Sequence, residues 1–313
     1  MKLIFAGTPE FAMQPLRAIV EAGYEVVGVI TQEDKPQGRK GILTPPPVKT
    51  LALSLGIPVF QPAKIREFVA QLSALQADAM ITCAYGQILT QAVLDCFPKG
   101  VWNIHAGLLP KYRGASPIQS CLLAGEEETG VSIMKTELGL DCGDVLMVER
   151  TAITPTETYG ELSTKLSLLS APLIVKALNA LQLGEFTLTA QGEEGVQIVR
   201  KIGKEHAKID FSRSAKEIVN LVRASNPAPV AYTQTEQGIL NVYLAEAVEW
   251  TEENAASASV GEIVCDTPKK GLIVRCGDGF VKLLEVQAAG GKRMKGSDFL
   301  NGKKVTKGQV FVC

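Results

Sequence analysis

The chain reads as an α/β protein: a Rossmann-like, mostly parallel sheet with helices on both faces, followed by a small C-terminal β-barrel of OB-like type. Three observations predict this. Up to residue 105, short apolar, β-branched runs alternate with segments of helical period, the pattern of parallel strands joined by crossover helices. Beyond residue 229 the helical period gives way to short strands at regular spacing, separated by Gly, Asn, Asp and Pro. The 313 residues, 46% apolar and 21% charged, suffice for two domains with cores of their own.

Residues 2–6 are an apolar run ended by Gly7-Thr8-Pro9, which predicts a buried strand. Residues 10–21 place Phe11, Leu16, Ile19 and Val20 at helical spacing, and Gly23 closes the helix. A second buried strand covers 26–31. A polar loop rich in Pro and Gly occupies 32–47, and helix signals resume at Val48. Strand 58–61, helix 64–75, strand 77–83, helix 90–96 and strand 101–105 follow. Helix 117–124 begins with Ser116 as N-cap and Pro117 in its first turn. Strands near 130–136 and 145–151 and a long helix from about 157 to 181 complete the first domain. Residues 184–209 show little periodicity and read as a connection. The division expected is a first domain over 1–189, a linker over 190–209 and a second domain over 210–313. That second domain opens with an amphipathic helix at 215–225 and continues in strands 230–235, 239–247, 260–265, 272–276 and 281–287.

A net charge of −1 excludes a bulk basic protein. The charge is uneven, though. Near the C-terminus Lys292, Arg293, Lys295, Lys303, Lys304 and Lys307 face only Asp298. Seven cysteines with no Cys-x-x-Cys spacing argue against a disulfide framework or a zinc ribbon. The N-terminus meets a turn and a charge too early for a signal peptide, and no apolar run reads as membrane-spanning. The expectation is a cytoplasmic, monomeric protein with no membrane partner.

The densest polar cluster in an apolar setting is Asn103-Ile104-His105, at the end of a predicted strand. Strand alternation puts Asn103 and His105 on one face. Open parallel sheets bind ligands at the carboxyl ends of their strands. There an amide stabilises a carbonyl oxygen that gains negative charge, and an imidazole donates to it or moves a proton. A lone buried His is more often structural. The long Gly- and Pro-rich loop over 106–117, directly after it, favours function. Leu140-Asp141-Cys142-Gly143-Asp144 offers a carboxylate for the imidazole. Asp141 and Asp144 are both candidates, and both are also ordinary turn formers.

Asn103-Ile104-His105, Pro110-Lys111-Tyr112-Arg113-Gly114 and Leu140-Asp141-Cys142-Gly143-Asp144 together resemble the signature of the folate-dependent formyltransferase family. The resemblance extends along the chain. Phe5-Ala6-Gly7-Thr8-Pro9-Glu10-Phe11 is similar to the N-terminal motif of the family members that formylate methionyl-tRNA. Lys35-Pro36-Gln37-Gly38-Arg39-Lys40, with Pro47-Val48-Lys49, resembles their tRNA-contacting loop. Phe211-Ser212-Arg213-Ser214-Ala215 and Val222-Arg223-Ala224-Ser225-Asn226-Pro227-Ala228-Pro229 resemble the start of their C-terminal domain.

The resemblance implies transfer of formyl from 10-formyltetrahydrofolate to the amino group of methionine on initiator tRNA, for translation initiation, without a metal. It implies that Asn103, His105 and Asp141 are catalytic: Asn103 and a protonated His105 stabilise a tetrahedral intermediate, and Asp141 orients the His. Folate binding falls to Gly107, Leu108, Leu109 and Pro110, where Gly107 replaces the usual Ser, and to Tyr85, Gly86, Gln87, Ile88 and Leu89. Cys142 stands where Thr is common. Contact with tRNA falls to Lys35, Arg39, Lys40 and Lys49, and to Lys303 and Lys304. Three other readings compete. A formyltransferase for a small amine needs neither the basic loop nor a second domain. A nicotinamide oxidoreductase would carry Gly-x-Gly-x-x-Gly in its first strand–helix turn, where this chain has Gly7-Thr8-Pro9-Glu10-Phe11. A non-enzymatic RNA-binding protein leaves Asn103, His105 and Asp141 without a role.

Overall fold

A computed structural model describes residues 1–38, 41–251, 257–302 and 305–311. The chain forms two compact units. One comprises Met1–Pro117, Glu128–Ala152 and Ser163–Arg200; the other comprises Ile118–Glu127, Ile153–Leu162 and the chain from Lys201 on.

The first unit starts with β1 (Lys2–Gly7), buried from Leu3 to Ala6, and a single helical turn leading into α1 (Met13–Glu21). Next are β2 (Glu25–Ile30), the hairpin β3 (Lys35–Gln37) and β4 (Ile42–Thr44), α2 (Pro47–Ser54) and β5 (Val59–Phe60). Then come α3 (Val69–Ala74), β6 (Ala79–Cys83), α4 (Gln91–Leu94), β7 (Val101–His105) and the short β8 (Arg113–Gly114). After α5 (Pro117–Ala124) the chain adds β9 (Glu128–Lys135), β10 (Val145–Ala152), α6 (Tyr159–Leu183) and β11 (Ile198–Val199).

The sheet order is β10-β9-β7-β6-β1-β2-β5. The strands from β5 to β7 run parallel, while β9 and β10 extend the sheet antiparallel. The chain builds outward from β1 to β5, then crosses back to lay β6 on the other side of β1. That reversal opens a crevice at the carboxyl ends of the strands, where such sheets hold ligands.

Two expectations change here. The loop 32–47 contains the β3–β4 hairpin, and the helix expected at 64–75 is shortened. Phe68 leaves helical geometry (φ −107°, ψ 13°) to pack against Phe60 at a ring separation of 5.5 Å. α6 is a third. Its 25 residues are long and apolar enough to cross a membrane by length and composition. Leu166, Leu173, Ile174, Ala177 and Leu178 are instead buried within the protein, and the Ser167 hydroxyl donates to the Phe11 carbonyl at 2.6 Å. It is a core helix of the α/β unit.

Gly130 shows how tightly the sheet edge is built. A Cβ there would land on the Glu149 carbonyl oxygen of β10 and 2.7 Å from Leu108 Cδ2. Gly130→Ala should therefore cost about 1–3 kcal/mol of stability, the usual range for overpacking. An unchanged urea midpoint for Gly130→Ala would contradict this close approach.

In the second unit, α7 (Ala215–Ala224) is capped reciprocally. The Ser214 hydroxyl accepts from the Glu217 N–H at 3.2 Å, and the Glu217 carboxylate accepts from the Ser214 N–H at 3.0 Å. β12 (Ala231–Thr235), β13 (Gly238–Val248), β14 (Ile263–Cys265), β15 (Leu272–Arg275), β16 (Phe280–Ala288), β17 (Met294–Lys295) and α8 (Gly296–Asn301) follow. The antiparallel order is β12-β13-β16-β15-β14, with β17 on β16. Ile218 and Val222 of α7 pack with Leu240, Val242 and Leu283 of the sheet. Among the described residues β12 and β14 do not pair, so the barrel is an open half-barrel.

Candidate active site

Residue register in the sheet assembles the site. The parallel pairing of β6 and β7 sets Thr82 beside Asn103, and the antiparallel pairing of β7 and β9 sets His105 beside Ser132. The Thr82 hydroxyl donates to Asn103 Oδ1 at 2.8 Å, which fixes which end of the amide is the donor. Asn103 Nδ2 then lies 3.4 Å from Asp141 Oδ1. Asp141 Oδ2 lies 3.6 Å from His105 Nδ1 and accepts the Gly114 N–H at 2.8 Å. Asp141 thus stands between the two: Asn103 is hydrogen-bonded to its carboxylate, and His105 lies at ion-pair distance from it. Asp144 instead joins the β9–β10 pairing, its carbonyl accepting the Lys135 N–H at 2.9 Å.

His105 is 4% exposed. Burial pulls its pKa below the ordinary imidazole value, while the Asp141 carboxylate and the Tyr112 backbone push the other way. Desolvation disfavours the charged form. Burial therefore favours the neutral imidazole over the charged one, and the Asp141 carboxylate favours the charged one. The Nδ1 edge faces Asp141, whereas the buried Nε2 bonds to no protein atom.

The loop after β7 is held against this imidazole. A Cβ on Gly107 would sit 3.2 Å from His105 Nε2 and 3.3 Å from Pro117 Cβ, so glycine keeps that edge of the ring uncrowded. The Ser132 hydroxyl donates to the Gly107 carbonyl at 2.7 Å and accepts the Leu109 N–H at 3.3 Å. It fixes the Gly107-Leu108-Leu109-Pro110 segment to the sheet. On the neighbouring strand end, Tyr85 is 4% exposed, and burial pushes its phenol up to about 12. Its carbonyl accepts from Thr8 Oγ1 at 3.0 Å and Gln32 Nε2 at 3.2 Å. Gly86 takes φ +86°, a value that favours glycine. Gln87 is committed to the loop before α3: its Oε1 accepts the Ile65 N–H at 2.7 Å and its Nε2 donates to the Pro62 carbonyl at 3.1 Å. Leu89 packs with Tyr85 in the core, while Ile88 is 90% exposed.

The basic residues expected to meet tRNA are placed unequally. Lys35 is exposed on β3. Lys49 is held by the Asp34 carboxylate at 2.8 Å and Gln61 Oε1 at 2.7 Å, and that pairing lowers the Asp34 pKa. Arg39, Lys40, Lys303 and Lys304 lie outside the described residues.

Comparison with known proteins identifies the family. A model of the formyl transferase family matches residues 1–178, and one of the formyl transferase C-terminal domain matches residues 201–304. The chain belongs to the formyl transferase family. It is 44% identical to the methionyl-tRNA formyltransferase of Symbiobacterium thermophilum over 313 residues, covering 99% of this chain and 95% of that one. It is 44% identical to the protein of that name from Neisseria meningitidis serogroup B over 312 residues, 98% of this chain and 99% of the other. Among solved structures, an N-formyltransferase from Helicobacter canadensis, complexed with folinic acid and dTDP-3-aminofucose, shares the fold. Its TM-score is 0.70 at 18% identity, over 90% of this chain and 98% of that one. HypX from Aquifex aeolicus, complexed with tetrahydrofolic acid, matches at 0.64 and 15%, over 100% of this chain and 50% of its own.

Three polar side chains of this formyl transferase's site escaped sequence reasoning. Thr82 and Ser132 sit inside apolar runs, and a buried hydroxyl there could have been noticed as a group in need of a partner. Gln191, whose Nε2 donates to the Asp141 carbonyl at 2.9 Å, stands in a segment without period and carried no signal.

Proposed function

We propose that the chain transfers the formyl group of 10-formyltetrahydrofolate to the amino group of methionine on initiator methionyl-tRNA. The free Nε2 edge of buried His105, beside the oriented amide of Asn103 at the carboxyl end of β7, carries this reading. A neutral imidazole with Nδ1 turned to Asp141 offers Nε2 as a proton acceptor. As the amine nitrogen bonds to the formyl carbon, His105 takes the amine proton. Asn103 Nδ2 donates to the carbonyl oxygen as it becomes negative. His105, now an imidazolium beside Asp141, returns the proton to the folate nitrogen as the carbon–nitrogen bond to the carrier breaks. Atoms and charge balance, and the transfer needs no metal.

The Gly107-Leu108-Leu109-Pro110 segment and residues 85–89 are assigned to folate, and Lys35, Arg39, Lys40, Lys49, Lys303 and Lys304 to tRNA. Methionyl-tRNA is favoured as acceptor because relatives of that name match almost the whole chain, including the part from residue 201 on. In this reading the first domain performs the chemistry, the second holds RNA, and the enzyme works as a cytoplasmic monomer. Purified protein should formylate methionyl initiator tRNA from 10-formyltetrahydrofolate, with a chelator present. If only aminosugar nucleotides or other small amines accept formyl, the tRNA assignment fails. If chelation abolishes turnover and added metal restores it, the metal-free transfer fails.

A further inference from the structure

The segment after α6 reads in the sequence as a connection, yet in the folded protein residues 189–199 strap down the candidate active site. Thr189 exchanges both backbone hydrogen bonds with Val145, at 2.8 and 2.9 Å. Further on, the Gln197 carbonyl accepts the Arg113 N–H at 2.8 Å and the Val199 carbonyl accepts the Ala115 N–H at 3.1 Å. Between these ties, Gln191 uses its whole amide. Its Nε2 donates to the Asp141 carbonyl at 2.9 Å and the Gly143 carbonyl at 2.7 Å, and its Oε1 accepts Arg113 Nε–H at 2.9 Å.

We propose that Gln191 is a positioning residue for Asp141, fixing the turn that aims the carboxylate at His105. This rests on the reading of Asp141 given above. Asp141 adopts φ +46°, in the left-handed region that, glycine apart, mainly Asn and Asp tolerate, so the turn has a definite shape to hold. The Gln191 amide grips the carbonyls of Asp141 itself and of Gly143, two residues on. Gly143 has no freedom to give, since a Cβ there would strike the Lys135 carbonyl. The same side chain holds Arg113, whose neighbour Gly114 donates its N–H to Asp141 Oδ2 at 2.8 Å. Both the backbone that carries the carboxylate and one donor that orients it therefore depend on one glutamine.

The test compares Gln191→Ala and Gln191→Glu, each in wild-type and Asp141→Asn backgrounds, with kcat, KM for 10-formyltetrahydrofolate and melting temperature measured for each. In the wild-type background kcat should fall roughly tenfold to a hundredfold with KM changed by less than about twofold, because small misplacements of a catalytic group are costly. Gln191→Glu keeps the size and the Arg113 partner but loses both N–H donors, so it should lose as much as Gln191→Ala. It also serves as the second variant if the alanine form is too unstable to assay. In the Asp141→Asn background either change should alter kcat by less than about twofold, since what Gln191 positions is already disabled. Equal losses in both backgrounds, or no loss in either, would overturn the proposal and leave Gln191 as a general staple. If Asp141→Asn alone leaves turnover intact, the reading of the site fails, and the positioning role falls with it.

Discussion

Asn103→Ala should lower kcat by about 10²–10³, the loss typical of removing one oxyanion donor, and His105→Ala by at least as much. Asn103 is oriented before any substrate arrives. Thr82 occupies Oδ1 at 2.8 Å, leaving Nδ2 with one long contact to Asp141 at 3.4 Å and a second N–H to spare. Such a preorganised donor needs no rearrangement as charge develops. In the proposed mechanism His105 contributes differently, by moving the proton that must leave the amine. Alanine there also removes a packed side chain. His105→Gln, which fills similar space without the proton acceptor, is therefore the companion variant. Binding of 10-formyltetrahydrofolate should be largely kept in all three. The double variant Asn103→Ala/His105→Ala should be little worse than the poorer single one, because residues that act as a unit are not additive. Thr82→Val tests the orientation alone and should cost less than Asn103→Ala. Near-normal turnover in His105→Gln would remove His105 from the chemistry.

Much of this site was legible because its information is local. Asn103 and His105 stand two residues apart on a strand, so alternation alone puts them on one face, and β7 has the expected bounds of Val101–His105. The parallel core strands were legible for a similar reason: a strand buried on both faces is a nearly continuous apolar run, as β1 and β6 are. Asp141 needed more. Its local sequence suits any turn, and by residue type alone Asp144 is an equal candidate; the resemblance, not the local pattern, singles out Asp141. Least legible were the groups that act through long-range register. Thr82 meets Asn103 because β6 pairs with β7, and Ser132 meets the Gly107 loop because β9 runs beside β7. No pattern within either segment encodes those pairings. The strap over residues 189–199 is a stronger case, since its order comes from hydrogen bonds to distant turns rather than from its own period. The hairpin β3–β4 was missed because Pro and Gly dominated the reading of its loop. The lowered pKa of His105 depends on burial, which the sequence suggests only in part.

Asp141→Asn should lower kcat by about 10²–10³ and also move the acid side of the pH–rate profile. Asparagine is the informative substitution because it tolerates positive φ better than alanine does and Asp141 sits at φ +46°. It keeps an oxygen for the Gly114 N–H, so the turn should survive while the charge is lost. Three influences set the His105 pKa: burial lowers it most, and the Asp141 charge and the Tyr112 backbone raise it. The folded value lies below the ordinary 6.5, so wild-type turnover should hold at neutral pH and fall only as acid protonates Nε2. Removing the carboxylate removes a raising influence, so the acid limb of Asp141→Asn should lie at lower pH than that of wild type. The plateau should fall because the imidazolium formed during transfer loses its counter-charge. Stability follows the same linkage. A histidine whose pKa is depressed on folding leaves the unfolded chain binding more protons. Its contribution is therefore full above the ordinary value of 6.5 and is lost as pH falls through it. Profiles of kcat against pH for both proteins, with melting temperatures over the same range, check each sign. An acid limb that moved to higher pH in Asp141→Asn would mean that Asp141 does not sustain the charge on His105, and the carboxylate would be left as a turn former.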